Sequence, residues 1–324
     1  MTGEFDLIET YLAPLAGPGT FGLKNDAAVF SVAAGEAVVA TADAMVQGIH
    51  FLPEDPPDLV ARKLLRVNLS DLAAMGARPF GYLLTVALPQ ALGEDWFAGL
   101  ASGLVADQET FQVTLLGGDT VTTPGPPTLS LTALGRVAEG RALRRDAARA
   151  GDDVYLSGSL GDGALGLLVL QGRLSGLAEA ERDVLAGRYR LPQPRLALGQ
   201  ALAGQGLASA AIDVSDGLVA DLGHIAAGSG LAAVVEAEAL PLSPAASAAL
   251  AAEPALLGTL LTGGDDYELL FTAAPAARQT LAALAGELQL TLARIGRLEA
   301  GSGVAVLDGQ GKALALERGG WAHF

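Results

Sequence analysis

Leu65, Leu69, Leu72 and Met75 recur at helical spacing, so the stretch around residues 65–75 reads as an amphipathic helix against a core. The stripe is interrupted by Asn68, Ser70 and Asp71, which are poor residues for a helix interior. It stops at Gly76, and Pro79 opens the next strand. The same reading along the chain predicts helices at about 4–16, 57–77, 94–109, 177–188, 194–204 and 274–284. Strands fall at about 37–43, 82–88, 113–116, 128–137 and 231–235, with residues 22–30 turning into one more. Residues 151–158 form a strand that runs through a glycine-rich turn into a helix, and residues 210–218 form another strand end and helix start. An acid-bearing turn at 263–268 precedes a strand, and short strands near 290–296 and 303–307 lead to the tail. Strands and helices alternate in both halves, which predicts an α/β (α+β) fold of two domains with a boundary near 138–150, residues 1–140 and 141–324.

A chain of 324 residues, 51% of them hydrophobic, can bury two cores. No run reaches the ~20 apolar residues of a membrane span. The first residues are acidic where a signal peptide would be basic, so the expectation is a soluble, cytoplasmic protein. With no cysteine, disulfides, thiolate zinc sites and cysteine nucleophiles are excluded. The three histidines, His50, His224 and His323, are far apart in sequence. A metal site must then be built mainly of oxygen, which suits Mg²⁺, Mn²⁺ or Ca²⁺. The net charge of −16 argues against a nucleic-acid surface.

Aspartates are the candidate chemistry. Asp26, Asp43, Asp71, Asp119, Asp213, Asp216 and Asp265 almost all sit where an apolar strand meets glycine or a helix. Such junctions tend to converge at one edge of an α/β sheet. Several have a plain explanation when taken alone: an Asx turn for Asp26 or Asp43, a polar seam or cap for Asp71, an N-cap for Asp216 or Ser215. Asp213 is left over. Carboxylates meeting with few basic partners repel one another unless cations bind between them. None of the three lysines, Lys24, Lys63 and Lys312, lies in a G-x-x-x-x-G-K-[ST] loop, so no P-loop is present. The arginines at 141, 144, 145 and 149 are the basic cluster, and the turn after Ser157 is a candidate anion cradle. Metal ions bridging carboxylates to a triphosphate point to phosphoryl transfer of a design without a P-loop. A lone histidine such as His50 is more often structural, and Trp321 reads more readily as a docked anchor than as a stacking surface.

Several segments together carry a resemblance: GEFDLI, VNLSDLAAMGA, LLGGDT, GRALRR, IDVSDGLVADLGHI, GGDDYEL and the terminal WAHF. They run in order from Gly3 to Phe324, and the chain resembles the thiamine-monophosphate kinase family of the aminoimidazole ribonucleotide synthetase and selenophosphate synthetase superfamily. The resemblance implies ATP-dependent phosphorylation of thiamine monophosphate to thiamine diphosphate. It implies a homodimer whose N-terminal sheet, in an ATP- and Mg²⁺-binding domain, pairs with that of a second subunit. By position it places Mg²⁺ on Asp26, Asp43, Asp71, Asp119, Asp213 and Asp216, with Thr41 and Ala42 at two further coordinating positions. It places the nucleotide on Gly118, Asp119, Arg145 and Ser215, and thiamine phosphate on His50, Asp265 and Trp321. Asp43, Asp71, Asp119 and Arg145 are the expected catalytic set. The chain departs from the family at Lys24-Asn25, where Gly-Asp is usual, at Ala42, where a hydroxyl residue is usual, and at Asp265, where Glu is usual. Two alternatives stand beside this: a sibling ATP-driven enzyme of the superfamily, and a non-catalytic nucleotide-binding homologue.

Overall fold

The structure, a computed structural model, describes residues 4–25, 27–316 and 319–320. Two compact units are present: Met1–Leu72 with Ala77–Gly140, and Ala73–Gly76 with Arg141–Phe324. No described helix is long and apolar enough to cross a membrane.

The first unit is built on a four-stranded sheet in the order β1-β4-β2-β3. Its strands are β1 (Glu36–Val46), β2 (Arg78–Leu88), β3 (Thr114–Thr122) and β4 (Thr128–Ala138). Alternation along them separates two faces. Met45, Tyr82, Leu84, Val86, Leu129, Leu131 and Ala133 are buried on one face. The helices α2 (Pro57–Ala74) and α3 (Glu94–Phe111) pack against it. A Cβ on Gly135 would touch Leu72, and the Gln108 amide donates to the Tyr82 hydroxyl at 2.9 Å. Asp107, wholly buried on α3, accepts from Arg66 at 2.6 and 2.9 Å and from Arg62 at 3.0 Å, which accounts for the two arginines of α2 structurally. The other face of the sheet is open. Val38, Leu83 and Val121 remain 42–45% exposed there.

The second unit has a six-stranded sheet in the order β10-β7-β9-β5-β8-β6. Its strands are β5 (Asp153–Ser157), β6 (Ala210–Asp213), β7 (Leu231–Glu236), β8 (Leu269–Ala273), β9 (Leu292–Ala300) and β10 (Gly303–Leu307). Its helices are α4 (Asp162–Leu170), α5 (Glu179–Arg190), α6 (Leu196–Gln205), α7 (Leu218–Ser229), α8 (Pro244–Ala252), α9 (Leu256–Thr262) and α10 (Arg278–Leu288). Strands β5, β6 and β8 are buried along their whole length, which is why they read as apolar runs rather than alternating ones.

Several expectations are corrected. The first helix is broken: α1 (Glu4–Leu7) gives way to a π turn at Ile8–Leu12 and a 3₁₀ turn at Ala13–Leu15, where the ring of Pro14 prevents α-helical continuation. Residues 22–30 form no strand among those described. A 3₁₀ turn occupies Phe21–Leu23, and the Val29 N–H donates to the Gly19 carbonyl at 2.9 Å to close a loop. Strands β1 and β3 are longer than predicted, running on to Val46 and Thr122. Asp43 and Asp119 therefore lie inside strands, not at strand ends. Helices α8 and α9 were not predicted, because their alanine- and leucine-rich sequences show no polar face to mark a period. Helix α10 starts at Arg278, later than expected, because Pro275 opens a 3₁₀ turn first.

Candidate active site

Within the first unit, odd-numbered residues of edge strand β1 face α2. The Thr41 hydroxyl donates to the carboxylate of Asp71 through a short contact. Next along the strand, the Asp43 N–H donates to the side-chain oxygen of Asn68 at 3.0 Å. Asn68, wholly buried, also donates its amide to the Leu64 carbonyl at 2.9 Å. These bonds explain Asn68 and Asp71 in the apolar stripe of α2. Asn68 satisfies a backbone group that an edge strand leaves unpaired. Asp71 meets Thr41, and both stay partly exposed. Ala42 faces the opposite, open side of the sheet.

Gly118 and Asp119 occupy neighbouring places on β3, opposite Leu84 and Thr85 of β2. A Cβ at Gly118 would meet the Leu84 carbonyl oxygen at 1.8 Å, so only glycine fits. The exposed Asp119 carboxylate accepts from the Thr120 N–H at 3.0 Å. Both residues line a pocket of about 530 Å³ with Thr85, Ser130 and Thr132 of the open face. Asn25 lines it too. The register sets Asp43 opposite Leu131, Leu131 opposite Leu84 and Leu84 opposite Gly118. At ~4.8 Å per strand, Asp43 and the Gly118–Asp119 pair are roughly 14 Å apart across the sheet. The first unit thus brings Thr41, Asp43 and Asp71 together and holds Asp119 apart from them. His50 sits in the turn after β1. Its Nδ1 accepts from the Val46 N–H at 3.1 Å, and its carbonyl accepts from the buried Lys63 ammonium at 3.1 Å.

In the second unit Asp213 is the last residue of β6 and is buried. The Ala211 N–H donates to the Arg144 carbonyl at 3.0 Å, so the exposed Arg145 runs beside the strand that ends at Asp213. The loop after it is fastened by a residue that motif reading overlooked. One oxygen of Asp221, on the first turn of α7, accepts the N–H groups of Ser215, Asp216 and Gly217, each at 3.1 Å. Burial, and next the charge of Asp216, push the Asp221 carboxyl up to about 7, against the pull of those three N–H groups.

Asp265 lies in the turn before β8, at a left-handed φ of 71°. Its N–H donates to the Ser215 carbonyl at 3.0 Å, so the two acid-bearing loops of this unit are joined directly. The neighbouring Asp266 is buried and accepts from the Gly161 and Gly163 N–H groups at 2.6 and 2.9 Å. Burial pushes its carboxyl up to about 8, with those two N–H groups opposing and the charges of Asp162 and Glu268 adding. The glycine-rich turn that read as an anion cradle is therefore filled by the chain's own carboxyl group. Glu268, also buried, accepts from Ser157 at 2.6 Å, Arg188 at 2.8 Å and Arg195 at 2.6 Å. Only the DDYE spacing hinted at the roles of Asp266 and Glu268. Nothing local announces Arg188 and Arg195, which come from 80 and 73 residues away.

Asp26 and Trp321, expected at the metal and substrate sites, lie outside the described residues. Among the described residues, no three His, Asp or Glu side chains stand together as a metal cage. The donors present are hard oxygens, the type that Mg²⁺ takes.

Comparison with known proteins places these elements in a family. Residues 24–137 match the N-terminal domain of AIR synthase related proteins, and residues 149–309 match the C-terminal domain. The thiamine-monophosphate kinase of Caulobacter vibrioides is 42% identical, covering 99% of this chain and 90% of that protein. The crystal structure of thiamine-monophosphate kinase from Stenotrophomonas maltophilia K279a superposes with a TM-score of 0.82 at 46% identity, over 90% of this chain and 91% of that one. A structure of AaThiL complexed with AMPPCP and TMP gives a TM-score of 0.79 at 31% identity, over 99% and 97%. With similarity of this extent along both halves, the chain belongs to the thiamine-monophosphate kinase family, within the AIR synthase related proteins.

Proposed function

We propose that this chain phosphorylates thiamine monophosphate to thiamine diphosphate, using ATP as co-substrate and assisted by several Mg²⁺ ions. The observation that carries the reading is near-full-length similarity to thiamine-monophosphate kinases, and Asp43, Asp71, Gly118 and Asp119 stand at the positions where the resemblance expects metal and nucleotide contacts. The relative complexed with AMPPCP and TMP supports the same pair of substrates.

The nucleophile is a phosphate oxygen that is already anionic, so no general base is needed. The barrier is the approach of two anions. Bound Mg²⁺ would screen that repulsion, held by Asp43, Asp71, Asp119, Asp213 and Asp216, with Asp26, Thr41 and Ala42 (the last through backbone or water) at further positions. Thr41 orients Asp71 through its hydroxyl, and Asn68 fixes the strand at Asp43. The pocket beside Gly118 and Asp119 has the volume of a small-molecule site and would take the nucleotide. Arg145 would offset phosphate charge. Because Asp221 takes the Ser215 N–H, a nucleotide contact at Ser215 would use the hydroxyl. His50, Asp265 and Trp321 would hold thiamine phosphate, with Trp321 stacking on the cationic ring.

The N-terminal unit would also dimerise. The open face of its sheet carries exposed Val38, Leu83 and Val121, the kind of surface a second copy covers. The working compartment would be the cytoplasm, where ATP is available. Incubation with ATP, Mg²⁺ and thiamine monophosphate, followed by chromatography, tests the activity. Wild type should yield thiamine diphosphate and Asp71→Asn essentially none; a wild-type protein that binds ATP but makes no product would exclude the reading.

A further inference from the structure

The turn that carries Asp265 alternates. Asp265 and Tyr267 are partly exposed, whereas Asp266 and Glu268 are buried. The two outward residues have left-handed φ values of 71° and 52°, a conformation that is unfavourable for a non-glycine residue and persists only when its surroundings impose it. The surroundings here can be named. The Asp266 carboxyl group accepts from Gly161 N–H at 2.6 Å and Gly163 N–H at 2.9 Å, at the start of α4. Glu268 is gripped by Ser157, Arg188 and Arg195. On the other flank, Asp265 and Tyr267 donate their N–H groups to the carbonyls of Ser215 and Val214 at 3.0 and 2.8 Å.

Glycines make the fit tight. A Cβ at Gly163 would lie 2.2 Å from the Asp265 carbonyl oxygen, and one at Gly264 would lie 2.1 Å from that of Ser215. The turn is thus threaded between the glycine-rich turn and the Ser215 loop with no space to shift.

We infer that Asp266 is a positioning residue for substrate selection: by fastening the turn to the Gly161–Gly163 amides it holds Asp265 where thiamine monophosphate is recognised. This rests on the reading of Asp265 given above. Asp266, buried against the glycine-rich turn, acts only through its neighbour. Removing its second acceptor oxygen, as in Asp266→Asn, sets an NH₂ group against a buried N–H and releases that side of the turn. Asp265 then samples positions off the productive one, and the loss falls on the thiamine substrate and not on ATP.

The test is steady-state kinetics of the full chain for Asp266→Asn, Asp265→Asn and the double variant, with folding verified by thermal melting. Asp266→Asn should raise the KM for thiamine monophosphate at least fivefold and leave the KM for ATP within twofold. In the Asp265→Asn background the same change should add less than twofold. Gly163→Ala, which keeps every charge and presses on Asp265 from α4, should reproduce the split and decides the matter if Asp266→Asn does not fold. Equal changes in both KM values, or neither changing in a folded variant, would overturn the inference. If Asp265→Asn itself leaves the KM for thiamine monophosphate unchanged, the assignment of Asp265 fails instead, and with it the ground for this one.

Discussion

The hydroxyl of Thr41 donates to the carboxylate of Asp71, tying the edge strand β1 to the last turns of α2. The contact aligns one acid of the expected phosphoryl-transfer site from a side chain that need not touch substrate. Thr41→Val keeps the shape and removes the donor. It should lower kcat by roughly 10- to 100-fold, the scale of a small misplacement in a preorganised site. Folding stability should change by no more than about 1.5 kcal/mol, the net worth of one hydrogen bond. Kinetics and a urea titration on the same preparation check both, and an unchanged kcat would remove Thr41 from the site.

Gly118 answers a steric demand, with the Leu84 carbonyl oxygen where a Cβ would go. Gly118→Ala forces β3 away from β2 and tilts Asp119 with it. Overpacking of this kind costs about 1–3 kcal/mol. The expected kinetic signature is a KM for ATP raised at least tenfold, with a smaller change in that for thiamine monophosphate. A larger effect on the thiamine substrate would assign the pocket beside Gly118 to the wrong ligand.

Two buried acids predict a pH dependence of stability. The carboxyls of Asp221 and Asp266 are raised from 3.8 to about 7 and about 8. Between those limits the folded chain holds protons that the unfolded chain has released, so each contribution is full below the unfolded value and is lost as pH rises through the folded one. Wild type should therefore lose more stability between pH 5 and pH 8 than Asp266→Asn, which keeps only the Asp221 proton to release there. The groups that oppose the trend, such as Asp153, held low by Arg278, are common to both proteins and cancel in the difference. Urea midpoints that fall in parallel would show that Asp266 is ionised across the whole range.

The sequence made the scaffold of the first unit legible because α2 and α3 are amphipathic and β2 and β4 alternate. It showed Asn68, Ser70 and Asp71 as misfits in a helix, and the structure gives the reason for Asn68 and Asp71 on β1. At Gly117–Gly118 the glycines read as a stop in the sequence, whereas backbone pairing continues through them to Thr122. Asp119 consequently lies inside β3, not at a strand end. Within the first unit Asp43 and Asp71 group together, while Asp119 opens onto the other face. Fastenings made over long separations, such as Glu268 with Arg188 and Arg195, leave no local periodicity to read. Helices α8 and α9, apolar on every side, hide for a related reason.

Phosphoryl transfer to an already phosphorylated acceptor is the central claim, and a quenched time course tests it most directly. ADP and thiamine diphosphate are quantified together, with thiamine monophosphate or unphosphorylated thiamine as acceptor. The account predicts one thiamine diphosphate for each ADP with the monophosphate and no transfer to thiamine. ADP released without thiamine diphosphate, or phosphate appearing on thiamine itself, would contradict it.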